Sequence, residues 1–202
     1  MYRTGEIYDD IKKTIIDIYI DYGIAGFPVD ETCVCRKMGV ALIPYTSYGK
    51  EDRKLLLKKS QHGFYVPGTA DNSPTIFYND LYESKGAQRL TVFHELKHYV
   101  YEDCDDEDDD LADFFARYFM CPIPYLLLKK IDTPNEIASV CGTSLEAAYN
   151  VYSNLRNRRK KYGYHLFDYE IALINHLEPV LLEVYSKEKE SDEIYEGKQK
   201  TH

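Results

Sequence analysis

The hydrophobic pattern of the first 80 residues predicts two helices followed by a small sheet. Apolar residues at helical spacing predict an amphipathic helix over residues 5–22, and Asp30 is placed to cap a second, short helix ending near Lys37. Short apolar runs bounded by turn residues then predict strands. These runs are VALIPY at 40–45, FYV at 64–66 and TIFY at 75–78, with a short helix expected around KLLLKK between the first two.

The pattern from Ala87 onward is helical throughout. Predicted helices cover AQRLTVFHELKHYVYE, then DDLADFFARYFMC, a pair within residues 134–160, and about 169–185. Pro122 and Pro124 are expected to end the second of these, and Ser144 to cap the second helix of the pair. The charged, apolar-poor tail 186–202 is predicted to be disordered. The expected fold class is α+β, mainly helical with a small β-sheet.

Composition and charge narrow the class of protein. The hydrophobic share of 44% suits a globular chain, and no apolar stretch is long enough for a transmembrane helix, so no membrane partner is expected. The five cysteines lack paired metal-ligand spacing, and the N-terminus lacks a signal-peptide core, which indicates a cytoplasmic protein. The formal net charge of −9 is concentrated, because eight acidic residues lie within 102–110. This acidic segment is expected to be a solvated loop, or alternatively to select basic substrate segments.

The sequence His94-Glu95-Leu96-Lys97-His98 is an HExxH motif inside a predicted helix. Residues at i and i+4 lie one above the other on a helix, so both imidazoles can reach one Zn²⁺ ion. Glu95 is rotated by about 100° from His94 and can reach a water in the open coordination position. Zinc lowers the pKa of such a water, and Glu95 can accept its proton during attack on a carbonyl.

A catalytic zinc ion needs a third protein ligand, and the acidic segment follows the motif closely. Charge alone leaves the choice among its acids open. Helical periodicity places Asp109, Ala112, Asp113 and Ala116 on one face, where the two small alanines would let this helix approach the histidine helix. Asp109 and Asp113 are the rival ligands.

HELKH followed by DDLADFFARYFMCP resembles the ImmA/IrrE family of zinc-dependent metallopeptidases. The family pattern of Glu-x-x-Ala-Asn/Asp-x-Phe-Ala and a following Pro matches Ala112, Asp113, Phe115, Ala116 and Pro122 without gaps. Its glutamate position falls on an aspartate, Asp109. The resemblance therefore implies a third ligand one methylene shorter than usual, with Asp113 orienting a ligand from behind.

The resemblance implies a zincin-like metallopeptidase domain over residues 1–130, with a helical extension over 131–185 packed on it. It further implies a cytoplasmic hydrolase of bacteria or phage and prophage, a metalloprotease that acts in transcription regulation. Its expected partner and substrate is a helix-turn-helix repressor, in which it would hydrolyse a peptide bond. The alternative is a non-catalytic zinc-containing regulator or toxin–antitoxin component that acts by binding protein or DNA.

Weaker patterns leave further alternatives. Residues 134–163 resemble a helix-turn-helix with a basic end, which would contact DNA, but a helical pair packed on the peptidase is the preferred interpretation. Cys33 and Cys35 diverge on a helix and are expected to be thiols rather than a metal pair. His62, His165 and His176 are isolated, and the sequence does not indicate which of them, if any, stabilises an oxyanion.

Overall fold

A computed structural model describes residues 5–82, 84–102, 109–187 and 189 of the chain. Its helices are α1 (Gly5–Asp21), α2 (Glu31–Lys37), α3 (Lys50–Lys59), α4 (Lys85–Tyr101), α5 (Asp109–Met120), α6 (Ile123–Leu128), α7 (Pro134–Cys141), α8 (Leu145–Tyr162) and α9 (Asp168–Leu177). Its strands are β1 (Ala41–Pro44), β2 (Gly63–Val66) and β3 (Thr75–Tyr78). Most described residues are helical, so the expected mainly helical α+β class is confirmed.

The first two helices form where the hydrophobic pattern predicts them. The apolar face of α1 is buried through Ile11, Ile15 and Ile18. The carboxylate of Asp30 accepts a hydrogen bond of 2.9 Å from the backbone N–H of Cys33, so this residue caps α2 as expected. Gly39, at φ +75°, then turns the chain into β1.

The sheet has three strands in the order β1-β3-β2. The central strand β3 is parallel to β1 and antiparallel to β2. His62 and Asn79 form a hydrogen-bonded pair at the start of β2, where the N–H of Asn79 donates to the carbonyl of His62 at 2.7 Å. Because such pairs alternate, the backbone groups of Gly63 and Tyr65 point away from β3. This outer edge of β2 faces α4.

Helices α4 and α5 pack directly against each other and carry the candidate site. The hydroxyl of Ser84 accepts from the N–H of Ala87 and caps α4. Ala112 and Ala116 of α5 are fully buried, as expected for the small residues that allow close approach. Phe93 of α4 stacks on Phe119 of α5 with ring centroids 4.8 Å apart. The buried alanines in the first two turns of α5 and the ring contact in its last turn therefore hold the helix beside α4.

Proline positions account for two differences from the predicted helices. Helix α5 ends at Met120, before Pro122, but Pro124 lies in the first turn of a further helix, α6, that was not predicted. Proline is tolerated there because the first N–H groups of a helix have no intrahelical partner. The single helix predicted over 169–185 is wrong, since α9 ends before Pro179 and residues 180–187 form a separate helical stretch.

The last described helices join the same core as the first. The side chain of Thr133 and that of Glu136 cap α7 reciprocally, and Ser144 caps α8 as expected. One hydrophobic cluster contains residues from α1, the sheet, α4, α5, and α6 through α9. In the described part of the chain, none of the helices combines the length and apolar character needed to cross a bilayer. The disordered tail predicted over 186–202 lies almost entirely outside the described residues.

Candidate metal centre

Helix α4 places the two motif histidines on one face. Their ring centroids lie 5.6 Å apart, as expected for an i, i+4 pair. His98 is 7% exposed, and the side chain of His94 is 20% exposed. Between them in sequence, the side chain of Glu95 enters the same cavity. The HExxH motif is therefore presented by a regular helix.

Asp109, the first residue of α5, completes a group of three possible ligands. Its Oδ1 lies 3.7 Å from Nε2 of His94. Ligand atoms of His94, His98 and Asp109 all lie within 4.8 Å of one another, which makes this a group that could hold a metal ion. It contains the ligands that the sequence and the family resemblance indicate.

The chemistry of the three side chains and the one measured separation are compatible with a zinc ion. Two ligands at about 2.0–2.1 Å from a tetrahedral zinc ion lie about 3.4 Å apart. The 3.7 Å separation between His94 and Asp109 is close to that value. The side chain of Asp109 is 68% exposed, so it can adjust without repacking the core. A His₂-carboxylate set is also a known ligand set of catalytic zinc sites.

Asp113, the rival ligand, contacts the other nitrogen of His94. The Nδ1–H of His94 donates to Asp113 Oδ1 at 3.0 Å, and Arg117 Nη1 donates to Asp113 Oδ2 at 3.0 Å. The hydrogen bond from His94 is the main cause that lowers the pKa of Asp113, and the charge of Arg117 adds to it. Because Nδ1 is held in this way, Nε2 is left to face Asp109. The geometry therefore gives Asp113 the orienting position.

Burial and charge act against each other at the motif residues. Burial lowers the pKa of His94, but the hydrogen bond to Asp113 and the charges of Glu95, Asp113 and Asp109 raise it overall. Burial raises the pKa of Glu95, although the two histidines and a hydrogen bond from the backbone of Tyr65 oppose that rise. The Tyr65 contact ties Glu95 to the outer edge of β2. This backbone contact is invisible in the sequence pattern.

These residues lie in a cavity of about 1090 Å³. We call it the metal cavity because it contains the three side chains that could hold a metal ion. Its walls come mainly from four parts of the chain: residues 59–67 with β2, the face of α4 from Ala87 to His98, the face of α5 from Asp109 to Arg117, and the first turns of α8. The contributions of Arg117 and of α8 were not predicted from the sequence. Four carboxylates line the cavity, those of Glu95, Asp109, Asp113 and Glu146, against the cations Lys59 and Arg117. The lining therefore favours a cationic occupant.

The remaining candidate residues separate into those near the cavity and those far from it. His62 lines the cavity and contacts the ring of Tyr82 edge-on at 4.6 Å. His176 instead has Nε2 2.9 Å from the carbonyl of Ile24, and the ring of His165 packs on Phe167. His62 is thus the one of the three isolated histidines that lines this cavity.

The helix-turn-helix-like segment packs on the rest of the protein. Ser144, Glu146, Ala147 and Asn150, at the start of the presumed DNA-reading helix α8, line the metal cavity. Two of the five basic residues at its end are in ion pairs, Arg158 with Glu170 and Arg159 with Asp132. These contacts favour the packed helical pair over a DNA-binding surface.

The two neighbouring thiols lie in different environments. Cys35 is fully buried, and burial raises the pKa of its thiol to about 12. Cys33 is partly exposed, and its Sγ lies 3.6 Å from the guanidinium of Arg36. Residues 103–108 lie outside the described part of the chain, so the proposed roles of the acidic segment between Glu102 and Asp109 stay predictions.

Comparisons with models of protein families, with curated proteins and with solved structures find no match to this chain. The similarity of HELKH and DDLADFFARYFMCP to the ImmA/IrrE family therefore stays a prediction from those residues. The fold and the site define a mainly helical α+β protein with a His-His-Asp group that could hold a metal ion.

Proposed function

We propose that this protein is a zinc-dependent metallo-endopeptidase that hydrolyses a peptide bond in a protein substrate. The observation that carries the proposal is the convergence of His94, His98 and Asp109 within 4.8 Å, beside the side chain of Glu95 in one cavity. Three protein ligands of this kind, with a carboxylic acid next to them, are typical of hydrolytic rather than structural zinc sites.

His94, His98 and Asp109 would hold the zinc ion, and Asp113 would keep His94 in the ligating orientation. When bound, zinc supplies Lewis acidity, which polarises a carbonyl group and makes water a stronger acid. Glu95 would accept a proton from the attacking water and deliver it to the amine that leaves. The raised pKa of Glu95 suits a group that must both take and give a proton near neutral pH.

The cavity supports a polypeptide as the substrate. Its volume of about 1090 Å³ is slightly above the range for small-molecule sites, about 300–1,000 Å³. The exposed acid Glu146 on its walls, which is not one of the proposed metal ligands, would favour a basic segment of the substrate. The proposal of a helix-turn-helix repressor as the partner rests on the ImmA/IrrE resemblance and on this charge complementarity.

The test is the substitution Glu95→Gln, which keeps the size of the side chain and removes its basicity. Zinc content is measured by mass spectrometry of the metal, and cleavage by incubation with purified helix-turn-helix repressors from the same genome. We expect the variant to retain about one zinc per chain and to lose cleavage by at least about a hundredfold, the usual contribution of a general base.

Glu183→Gln is the matched control, because this substitution makes the same change of charge. Glu183 is exposed on the helical stretch 180–187. It should cleave like the unchanged protein. Full cleavage by Glu95→Gln would refute the mechanism. Zinc binding without cleavage by the unchanged protein would instead favour the alternative, a zinc-containing regulator that acts by binding.

A further inference from the structure

The metal cavity lies between two walls that meet different sides of α4. A Cβ atom on Gly86 would lie 2.4 Å from the backbone N of Ser144, at the start of α8, and one on Gly63 of β2 would lie 2.7 Å from Cγ2 of Thr91. An α-helix turns by about 100° per residue, so positions 86 and 91 point about 140° apart around α4. By the same count His94 points between them, about 80° from the first and about 60° from the second. The metal group therefore lies between an α8 wall and a β2 wall.

Each of these walls carries one exposed charge that is not part of the metal group. Glu146 lies in the first turn of α8 and Lys59 at the end of α3, just before β2, and both line the metal cavity. Nζ of Lys59 lies 4.6 Å from the centroid of the Phe64 ring, so the ammonium group is held against the β2 wall. Neither charge forms an ion pair with another described residue. Both can therefore contact a bound molecule.

The other charges that line the cavity compensate one another once the proposed zinc ion is counted. As carboxylates, Glu95, Asp109 and Asp113 carry three negative charges. Arg117, which donates to Asp113 at 3.0 Å, carries one positive charge. Ligating histidines are neutral, so the two charges of zinc bring this group to neutrality. Among the described lining residues, Glu146 and Lys59 are thus the charges that remain without compensation.

The size of the cavity limits how far apart the complementary charges of a substrate can lie. A volume of about 1090 Å³ corresponds to a sphere about 13 Å across, and an extended chain rises about 3.3 Å per residue. About four residues therefore reach from one wall to the other, roughly two on each side of a bond held at the metal. A charge that contacts Glu146 and one that contacts Lys59 must belong to the same short segment.

We propose that the cleaved segment of the substrate is bipolar, with a basic side chain that contacts Glu146 and an acidic side chain that contacts Lys59, one on each side of the cleaved bond. This inference rests on the proposed peptidase function and narrows its substrate class. The basic segment expected from Glu146 alone becomes a segment that carries both charges. A segment of a single sign places a like charge against one wall and binds more weakly.

The experiment measures the binding of hexapeptides to the zinc-loaded Glu95→Gln variant, which keeps the peptides intact. Their second and fifth residues are Lys and Asp in either order, both Lys, or both Asp, and their ends are acetylated and amidated to remove the terminal charges. Binding is followed by NMR titration up to about 5 mM. We expect the tighter of the two bipolar peptides to bind at least about threefold more tightly than either peptide of single sign, because an exposed ion pair changes affinity by about two- to fivefold.

Charge reversal on one wall at a time gives the sharper prediction. Glu146→Lys should make the doubly acidic peptide the tightest, and Lys59→Glu the doubly basic one, because both walls then carry the same sign. Glu6→Lys and Lys58→Glu are the matched controls, since they change the net charge in the same way outside the metal cavity. Glu6 also lies in the first turn of a helix, and Lys58 is the neighbour of Lys59. Both controls should keep the preference for a bipolar peptide.

Cleavage is measured separately, with the unchanged protein and a library of random synthetic peptides read by mass spectrometry. Cleaved bonds should be flanked, within about two residues, by a base on one side and an acid on the other. Cleavage without this charge pattern would overturn the inference and leave the peptidase function in place. A bipolar preference in binding without any cleavage would support the inference about the walls and count against the peptidase function.

Two results of the binding experiment would also overturn the inference. The first is no detectable binding of either bipolar peptide up to about 5 mM. The second is the same change of preference in a control variant as in the wall variant that it matches, which would mean that only the net charge of the protein matters.

Discussion

The two carboxylates Asp109 and Asp113, one helical turn apart on α5, lie at opposite nitrogens of the same imidazole. Asp109 Oδ1 is 3.7 Å from Nε2 of His94, and Asp113 Oδ1 is 3.0 Å from Nδ1. One α-helical turn of about 5.4 Å spans roughly the distance between the two sides of the ring. The pair can therefore serve one histidine in two ways, as a co-ligand and as the group that orients it.

The orienting role predicts the effect of Asp113→Asn. The amide keeps the shape but loses the charge that holds the Nδ1 proton of His94, so His94 should be held less firmly for binding through Nε2. We expect zinc affinity, measured by competition with a chromogenic chelator, to fall about 10–100-fold. Arg117 should lose its ion pair in the same variant.

Asp110→Asn is the control for that measurement. It makes the same chemical change three residues away, on a side of α5 that does not line the metal cavity. Zinc affinity within about twofold of the unchanged protein is expected, since an exposed charge outside the site is largely screened by salt. An equal loss in both variants would mean that only the overall charge of α5 matters.

The sequence could predict the His94 and His98 pair because both lie in one helix with a fixed repeat. The choice between Asp109 and Asp113 depends on how α5 lies against α4, which local spacing does not determine. Only the family resemblance indicated that Asp109 is the ligand and Asp113 the orienting residue. The hydrogen bond from Tyr65 to Glu95 comes from the backbone of a strand, and no residue type marks such a contact in advance.

Two backbone segments pack very closely where α4 begins beside the start of α8. A Cβ atom on Gly86 would lie 2.4 Å from the backbone N of Ser144 and 2.6 Å from the carbonyl carbon of Thr143. These atoms belong to the backbone and cannot rotate away. Glycine at this position therefore lets the first turns of α8 form a wall of the metal cavity.

Gly86→Ala should push α8 away from α4. We expect the free energy of unfolding, measured by urea denaturation, to fall by about 1–3 kcal/mol because overpacking forces backbone shifts. Gly5→Ala is the control, because a Cβ atom there meets nothing within 4 Å and Gly5 also lies in a helix. That variant should be neutral or slightly more stable. Equal stability of the two variants would contradict the close packing.

The presence of most helices and strands could be predicted from the sequence, whereas the helix boundaries at prolines could not. Asp30, Ser144 and the short apolar runs carry local signals, and the observed elements follow them closely. Proline gives an ambiguous signal, because it can follow the end of one helix or lie in the first turn of the next. Pro124 lies in the first turn of α6, and for this reason the sequence pattern did not predict that helix.

At the scale of the molecule, Arg89 of α4 joins parts of the chain that lie far apart in sequence. Its Nε donates to Glu31 at 2.8 Å, and Nη1 donates to the carbonyls of Cys141 and Gly142 at 3.0 and 2.6 Å. Nη2 donates to the carbonyl of Val29. Helix α2 with the residues just before it, helix α4 and the end of α7 thus share one largely buried guanidinium, across the boundary predicted near residue 130.

Arg89→Met tests whether residues 1–130 and 131–185 unfold together. The side chain of Arg89 is 11% exposed, and its loss would leave Glu31 and three carbonyls without their donor. The side chain of Glu31 is 27% exposed, so the loss of this partly buried donor should cost about 1–3 kcal/mol. Because a single hydrophobic cluster contains residues from both segments, we expect one cooperative transition, shifted to lower denaturant as a whole.

The control is Arg36→Met, which removes an exposed arginine from α2 and should cost less than about 0.5 kcal/mol. Two separate transitions in Arg89→Met, followed by circular dichroism and by hydrogen exchange of α8, would instead identify 131–185 as an independently folding extension.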